Sequence, residues 1–130
     1  MASELRLTTL ANNAGTESVD TTYVINGNAK AWVNINGVGT PAARDSLNVS
    51  SIGDRGTGQY TVNNSTSFAN TNFAMTSSAG HDDASGTTRT VNAFEFTTSS
   101  TKTLSFQTFG STTQLFDTNY CFAAFHGDLA

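Results

Sequence analysis

The chain has 130 residues, carries a net charge of −4, and only 12% of its residues are charged. That length supports one modest core and not two. Its polarity comes from 22 Thr, 14 Ser, 13 Asn and 11 Gly, whereas the helix formers Lys and Glu number only two and three. This composition excludes a mostly helical fold and favours strands joined by tight turns. The six basic residues are scattered, unlike the clustered Lys and Arg of proteins that bind nucleic acid. No apolar run approaches the length of a membrane span, and the first residues lack the basic start and apolar stretch of a secretory signal. The expectation is a chain made in the cytoplasm, with no nucleic-acid or membrane partner. Nine Phe, three Tyr and one Trp argue against disorder.

Ser3 to Leu10 alternates, with Leu5 and Leu7 on one face, and predicts an N-terminal strand. Asn12 to Thr16 is turn chemistry. Tyr23-Val24-Ile25 runs into Asn26-Gly27, the strongest short hairpin signal, and predicts a strand turning there. Next comes a long alternating run with Ala29, Ala31, Val33 and Ile35 on one face and Lys30, Trp32, Asn34 and Asn36 on the other. A second Asn-Gly pair, Asn36-Gly37, ends it. Arg44 to Ile52 predicts one strand with Leu47 and Val49 in register. A glycine-rich turn over 53–58 then leads into Gln59 to Asn63, where Tyr60 and Val62 share a face, completing a hairpin. Phe68 to Met75 predicts a short strand, and Ser77 to Thr87 a loop. Two further strands follow: Val91 to Thr97, with Phe94 and Phe96 on one face, and Thr103 to Thr108, with Leu104 and Phe106 on one face. Asn119 to His126 is apolar on both faces, which predicts a central or interfacial strand. About eight strands at this spacing predict an all-β fold, an antiparallel β-sandwich. The division expected is an N-terminal strand or attachment segment over 1–22 and the sandwich over 23–130.

Catalytic and metal chemistry finds little support in the sequence. Cys121 and His126 lie five apart on one predicted strand, so they point to opposite faces, and no nucleophile elbow is present. One Cys and two His do not make a closed zinc site, the lone Cys forbids an internal disulfide, and no cofactor motif is present. Of the three Glu, Glu4 and Glu17 fall near the start and Glu95 reads as the solvent face of its strand, so no carboxylate pair for glycoside hydrolysis is placed. Trp32 lies on the polar face of its strand. It is read first as a subunit contact, with a stacking platform for a sugar ring as the alternative.

The stretch Asn28-Ala29-Lys30-Ala31-Trp32-Val33-Asn34-Ile35-Asn36-Gly37, its continuation from Arg44 to Ile52 and the run from Gly56 to Asn63 resemble a pattern in small virion structural proteins of tailed, largely marine, bacteriophages. The opening Ser3-Glu4-Leu5-Arg6-Leu7 resembles fibre proteins whose N-terminal strands wind into trimers. The resemblance implies a tail-fibre or adhesin-type virion component, or alternatively a capsid decoration protein. A glycan-cleaving tail component is the enzymatic alternative. The expectations are a virion location, a homotrimer with an intertwined N-terminal strand, contacts with other virion proteins, and host-surface glycan binding without catalysis. Loops carry variable contacts, which points to His81, Asp82 and Asp83 in one loop and Phe109, Thr112 and Gln114 in another as receptor-binding residues. Leu5, Leu7, Ala29, Ala31 and Trp32 are the expected subunit interface, with no metal or cofactor.

Overall fold

The structure, a computed structural model, describes residues 5–80, 89–109 and 112–130, with backbone only at 102 and 104–109. It opens on a small N-terminal unit. Strand β1 (Thr9–Ala11) pairs antiparallel with β2 (Ser18–Asp20), and helix α1 (Thr21–Gly27) follows. Ser3 and Glu4 lie outside the described residues; of the rest of the strand expected from Ser3 to Leu10, only Thr9 and Leu10 are strand, in a three-residue ladder that ends at Ala11. Leu5, 81% exposed, and Leu7, 47% exposed, precede it. Nor does the expected hairpin at Asn26-Gly27 form. Asp20 caps a helix instead, its carboxylate accepting from the Thr22 amide at 2.7 Å, which satisfies an otherwise orphaned helical N–H. The same bonds to Thr22 hold the Asp20 carboxyl below its usual range. The Thr21 hydroxyl donates to the Leu7 carbonyl at 2.8 Å and ties helix to ribbon. This helix spans the expected 22/23 boundary, and the strands of the main fold begin at Ala31.

From there the chain is all-β, in two antiparallel sheets. Strand β3 (Ala31–Asn36) buries every second residue and pairs with β4 (Ala42–Leu47). Strands β5 (Val49–Asp54) and β6 (Gln59–Asn64) form the expected hairpin. Strands β7 (Ala74–Gly80), β8 (Thr90–Phe96), β9 (Ser100–Phe109), β10 (Thr112–Leu115) and β11 (Tyr120–His126) complete the set. One sheet runs β4-β3-β11-β7, while the other runs β5-β6-β9-β10 with β8 also paired to β9. The last strand is central, as its two apolar faces predict, lying between β3 and β7.

The stretch from Arg44 to Ile52 is two strands rather than one, divided at Asn48, and the two halves belong to different sheets. Asn48 has φ 55°, the one non-glycine residue at positive φ among those described. Asn tolerates this region better than most residues. Its side chain completes the corner, Oδ1 accepting from the Thr66 amide at 2.7 Å and Nδ2 donating to the Thr66 carbonyl at 3.1 Å.

Between the sheets lies one cluster that includes Val33, Ile35, Tyr60, Val62, Phe68 and Phe125. Phe68 stacks on Phe73 with ring centroids 4.4 Å apart. Of the strand expected over 68–75, only Ala74 and Met75 are strand, opening β7; residues 68–73 are an irregular connection bridged at Phe68 to Leu129, and their two Phe plug one end of the core. The loop expected from Ser77 is strand to Gly80. In β8 a bulge between Ala93 and Glu95 inserts Phe94 as an extra residue. Phe94 and Phe96 therefore do not share a regular face: Val91 is buried, Phe96 packs edge-on against Phe73 at 5.5 Å, and Phe94 stays half-exposed. Of the described side chains of β9, Thr101 and Thr103 are turned into the core, and their buried hydroxyls find no protein partner.

Candidate functional site

Period-2 alternation leaves each strand of the β4-β3-β11-β7 sheet with an outward face. On β3 that face presents Trp32, Asn34 and Asn36, and on β11 Tyr120, Phe122 and Ala124. The register sets Asn34 opposite Phe122 and Trp32 opposite Ala124. On the far side of β11, Phe122 pairs with Ser78 and Ala124 with Thr76. Large side chains at Trp32 and Phe122 flank the small Ala124, so the surface is concave. The groove, about 430 Å³, is lined by Trp32, Asn34, Thr76, Ser78, Phe122 and Ala124 among others. That size falls within the ~300–1,000 Å³ of small-molecule sites.

The six side chains just named carry no formal charge. Asn34 Oδ1 is buried and accepts no hydrogen bond from the protein, and a buried polar atom without a partner costs about 1–3 kcal/mol. Beside the groove, Tyr120 and Phe122 stack with centroids 6.1 Å apart. The β3–β4 ladder shifts register between Asn34 and Ile35, leaving Arg44 as the extra residue. Its guanidinium lies 4.6 Å from the Tyr120 ring centroid and donates to Asn36 Oδ1 at 3.2 Å and the Asn119 carbonyl at 3.1 Å. Arg44 thus buttresses the aromatic row, its charge already engaged by a ring and two oxygen atoms.

A second polar cluster sits at one end of the core. The Tyr60 hydroxyl lies 3.4 Å from the Gly37 carbonyl and 3.4 Å from Asp117 Oδ1. The same carboxylate accepts from the Gly58 amide at 2.8 Å. Burial first, then the neighbouring Cys121 and Asp117, pushes the Tyr60 phenol well above its usual value. Gly37 is required here: a Cβ would collide with the Tyr60 hydroxyl and stand 2.8 Å from the Thr118 carbonyl oxygen. This cluster ties loops together.

The expected site residues divide. His81, Asp82 and Asp83 lie outside the described residues, as does the side chain of Phe109. Thr112 and Gln114 were expected in a loop but belong to β10, paired with Phe109 and Gln107, and are exposed on the other sheet, away from the groove. Of the expected interface set, Ala31 is wholly buried in the chain's own core and is no subunit contact, because alternation turns it inward. Ala29 is half-buried just before β3. Leu5 and Leu7 line a separate groove with Val24 and Ile25 in the N-terminal unit. Trp32 alone of that set reaches the aromatic face. Cys121 is buried, its thiol directed to the Thr118 carbonyl at 3.9 Å, and His126 takes the opposite face of β11. Among the described residues no three His, Cys, Asp or Glu side chains gather, and no helix is long and apolar enough to cross a membrane. Sequence reasoning missed Thr76, Ser78 and Asn34 as groove residues. The two apolar faces of β11 were the available signal, since one of them had to be covered or used.

Compared with known proteins, the chain matches no family model, no curated protein and no solved structure.

Proposed function

We propose that the chain is a structural component of a bacteriophage particle, of the tail-fibre or adhesin type, in which a β-sandwich presents a binding surface and performs no catalysis. The observation that carries this reading is the outward aromatic face: Trp32, Tyr120 and Phe122 stand on one sheet outside the chain's own core cluster. Phe122 is 38% exposed and Trp32 and Tyr120 are half-buried, and outward aromatic groups rimmed by polar residues mark interaction surfaces. The sequence resemblance supports the phage setting, because its three segments fall on the strands that build the scaffold. Residues 28–37 contain β3, residues 44–52 contain the Asn48 corner, and residues 56–63 lead into β6.

Mass spectrometry of purified particles tests the reading. A few to a few dozen copies per particle supports a tail component, and hundreds would instead make the chain a capsid decoration protein. Absence from purified particles would refute both.

A further inference from the structure

We infer that the groove on the outward face of the β4-β3-β11-β7 sheet binds a neutral pyranose sugar, its ring held between Trp32 and Phe122 over Ala124. The biological setting of this inference rests on the adhesin reading, but the geometry is independent of it. A pyranose has an apolar C–H face and a rim of hydroxyl groups. The groove offers the complementary arrangement: two aromatic walls for the face, and the Asn34 amide with the Thr76 and Ser78 hydroxyls for the rim. Its named walls and floor are uncharged, which disfavours a phosphate or an acidic peptide, and Asp45, the carboxylate paired with Asn34 on β4, stands beyond the lining. Two described cations stand near this face and both are engaged: Arg44 is held over Tyr120 and by two acceptors, and Lys30, two residues before Trp32, donates from its ammonium to the Ile25 carbonyl.

Asn34 Oδ1 is buried without a protein donor even with the groove open. An apolar neighbour laid over the face would leave that existing cost in place. A ligand hydroxyl or a water retained beside a sugar supplies the missing donor once the amide turns towards the groove. Ala124 sets the depth. In Trp32 and Phe122 the neighbouring outward positions of β3 and β11 hold large rings, so any larger residue at 124 would fill the slot between them.

The test is a titration of ¹⁵N-labelled protein with the methyl pyranosides of glucose, galactose, mannose and N-acetylglucosamine, followed by amide shifts and the Trp32 indole signal. The inference predicts saturable shifts with at least one of the four, centred on β3, β11 and β7, in the weak millimolar range expected for a single ring. Trp32→Ala and Ala124→Leu should each weaken binding by about tenfold or more, while Trp32→Phe keeps most of it. Both positions face outward, so the variants should melt close to the parent. If Trp32→Ala fails to fold, Ala124→Leu decides the question alone. No saturable shift with any of the four sugars overturns the inference. So does binding that Ala124→Leu leaves intact, or light scattering in which Trp32→Ala dissolves an oligomer, since the face would then belong to a second copy. Failure here with the chain still present in particles overturns the sugar site alone. Sugar binding by a chain absent from particles overturns the virion reading alone.

Discussion

Replacing Asn48 should separate two contributions at the corner where the chain leaves one sheet for the other. Asn48 holds φ 55° and makes side-chain hydrogen bonds of 2.7 and 3.1 Å to the Thr66 backbone. Each bond contributes about 0.5–1.5 kcal/mol, so losing both costs about 1–3 kcal/mol. Alanine keeps the Cβ that Asn48 already places in the left-handed region and loses the local polar contacts that make Asn tolerated there. Asn48→Ala should therefore cost about 1–3 kcal/mol. Asn48→Gly loses the same bonds without the steric penalty, and its greater freedom in the unfolded chain offsets part of that relief. Urea unfolding followed by Trp32 fluorescence reads both variants, the midpoint moving at constant slope if the loss is one of stability alone. The expected order is parent, then Gly, then Ala. Equal losses for Gly and Ala would show that the corner stores no conformational penalty. A loss below about 0.5 kcal/mol for both would show that the Thr66 bonds do not hold it.

Three further perturbations address the core. Gly37→Ala places a Cβ 2.6 Å from Tyr60 Cζ and 2.8 Å from the Thr118 oxygen, and overpacking of this kind should lower Tm by roughly 5–15 °C in differential scanning calorimetry; an unchanged Tm would refute the close approach. Thr103→Val removes a buried hydroxyl with no protein partner while keeping a β-branched shape, so it should raise stability by about 1 kcal/mol; a clear loss would show that the hydroxyl is satisfied. Because the raised phenol of Tyr60 keeps its proton when the unfolded chain has lost it, the contribution of Tyr60 to stability is constant below about pH 10 and falls above it, by up to ~1.4 kcal/mol per pH unit. Tyr60→Phe should flatten that alkaline slope, and a slope identical to the parent's would place its origin elsewhere.

The strands that alternate strongly were legible in the sequence. In β3, Ala31, Val33 and Ile35 contrast sharply with Trp32, Asn34 and Asn36, and in β6 Tyr60 and Val62 stand out among polar neighbours. β7 was not legible, because Met75, Ser77 and Ala79 on one face differ little in polarity from Thr76 and Ser78 on the other. Its strand identity comes from pairing with β11 along seven residues, from Tyr120↔Gly80 to His126↔Ala74. α1 was misread because Tyr23, Val24 and Ile25 favour strands and Asn26-Gly27 favours a turn, whereas the deciding contact is the Asp20 cap. The break at Asn48 hid inside an unbroken alternating run, since a single residue at positive φ leaves the pattern on either side intact.

The binding face was half legible for the same reasons. Trp32 was singled out because an aromatic residue interrupts the polar side of β3, and the two apolar faces of β11 were noted. Their assembly into one groove depends on the register that sets Ala124 against both Trp32 and Thr76, and long-range register is not written in local alternation.

The most direct test of the central claim is adsorption of intact particles carrying Trp32→Ala or Ala124→Leu, compared with parent particles at matched copy number of this chain. The account predicts normal incorporation and slower adsorption to host cells for both variants. Normal incorporation with unchanged adsorption would contradict it.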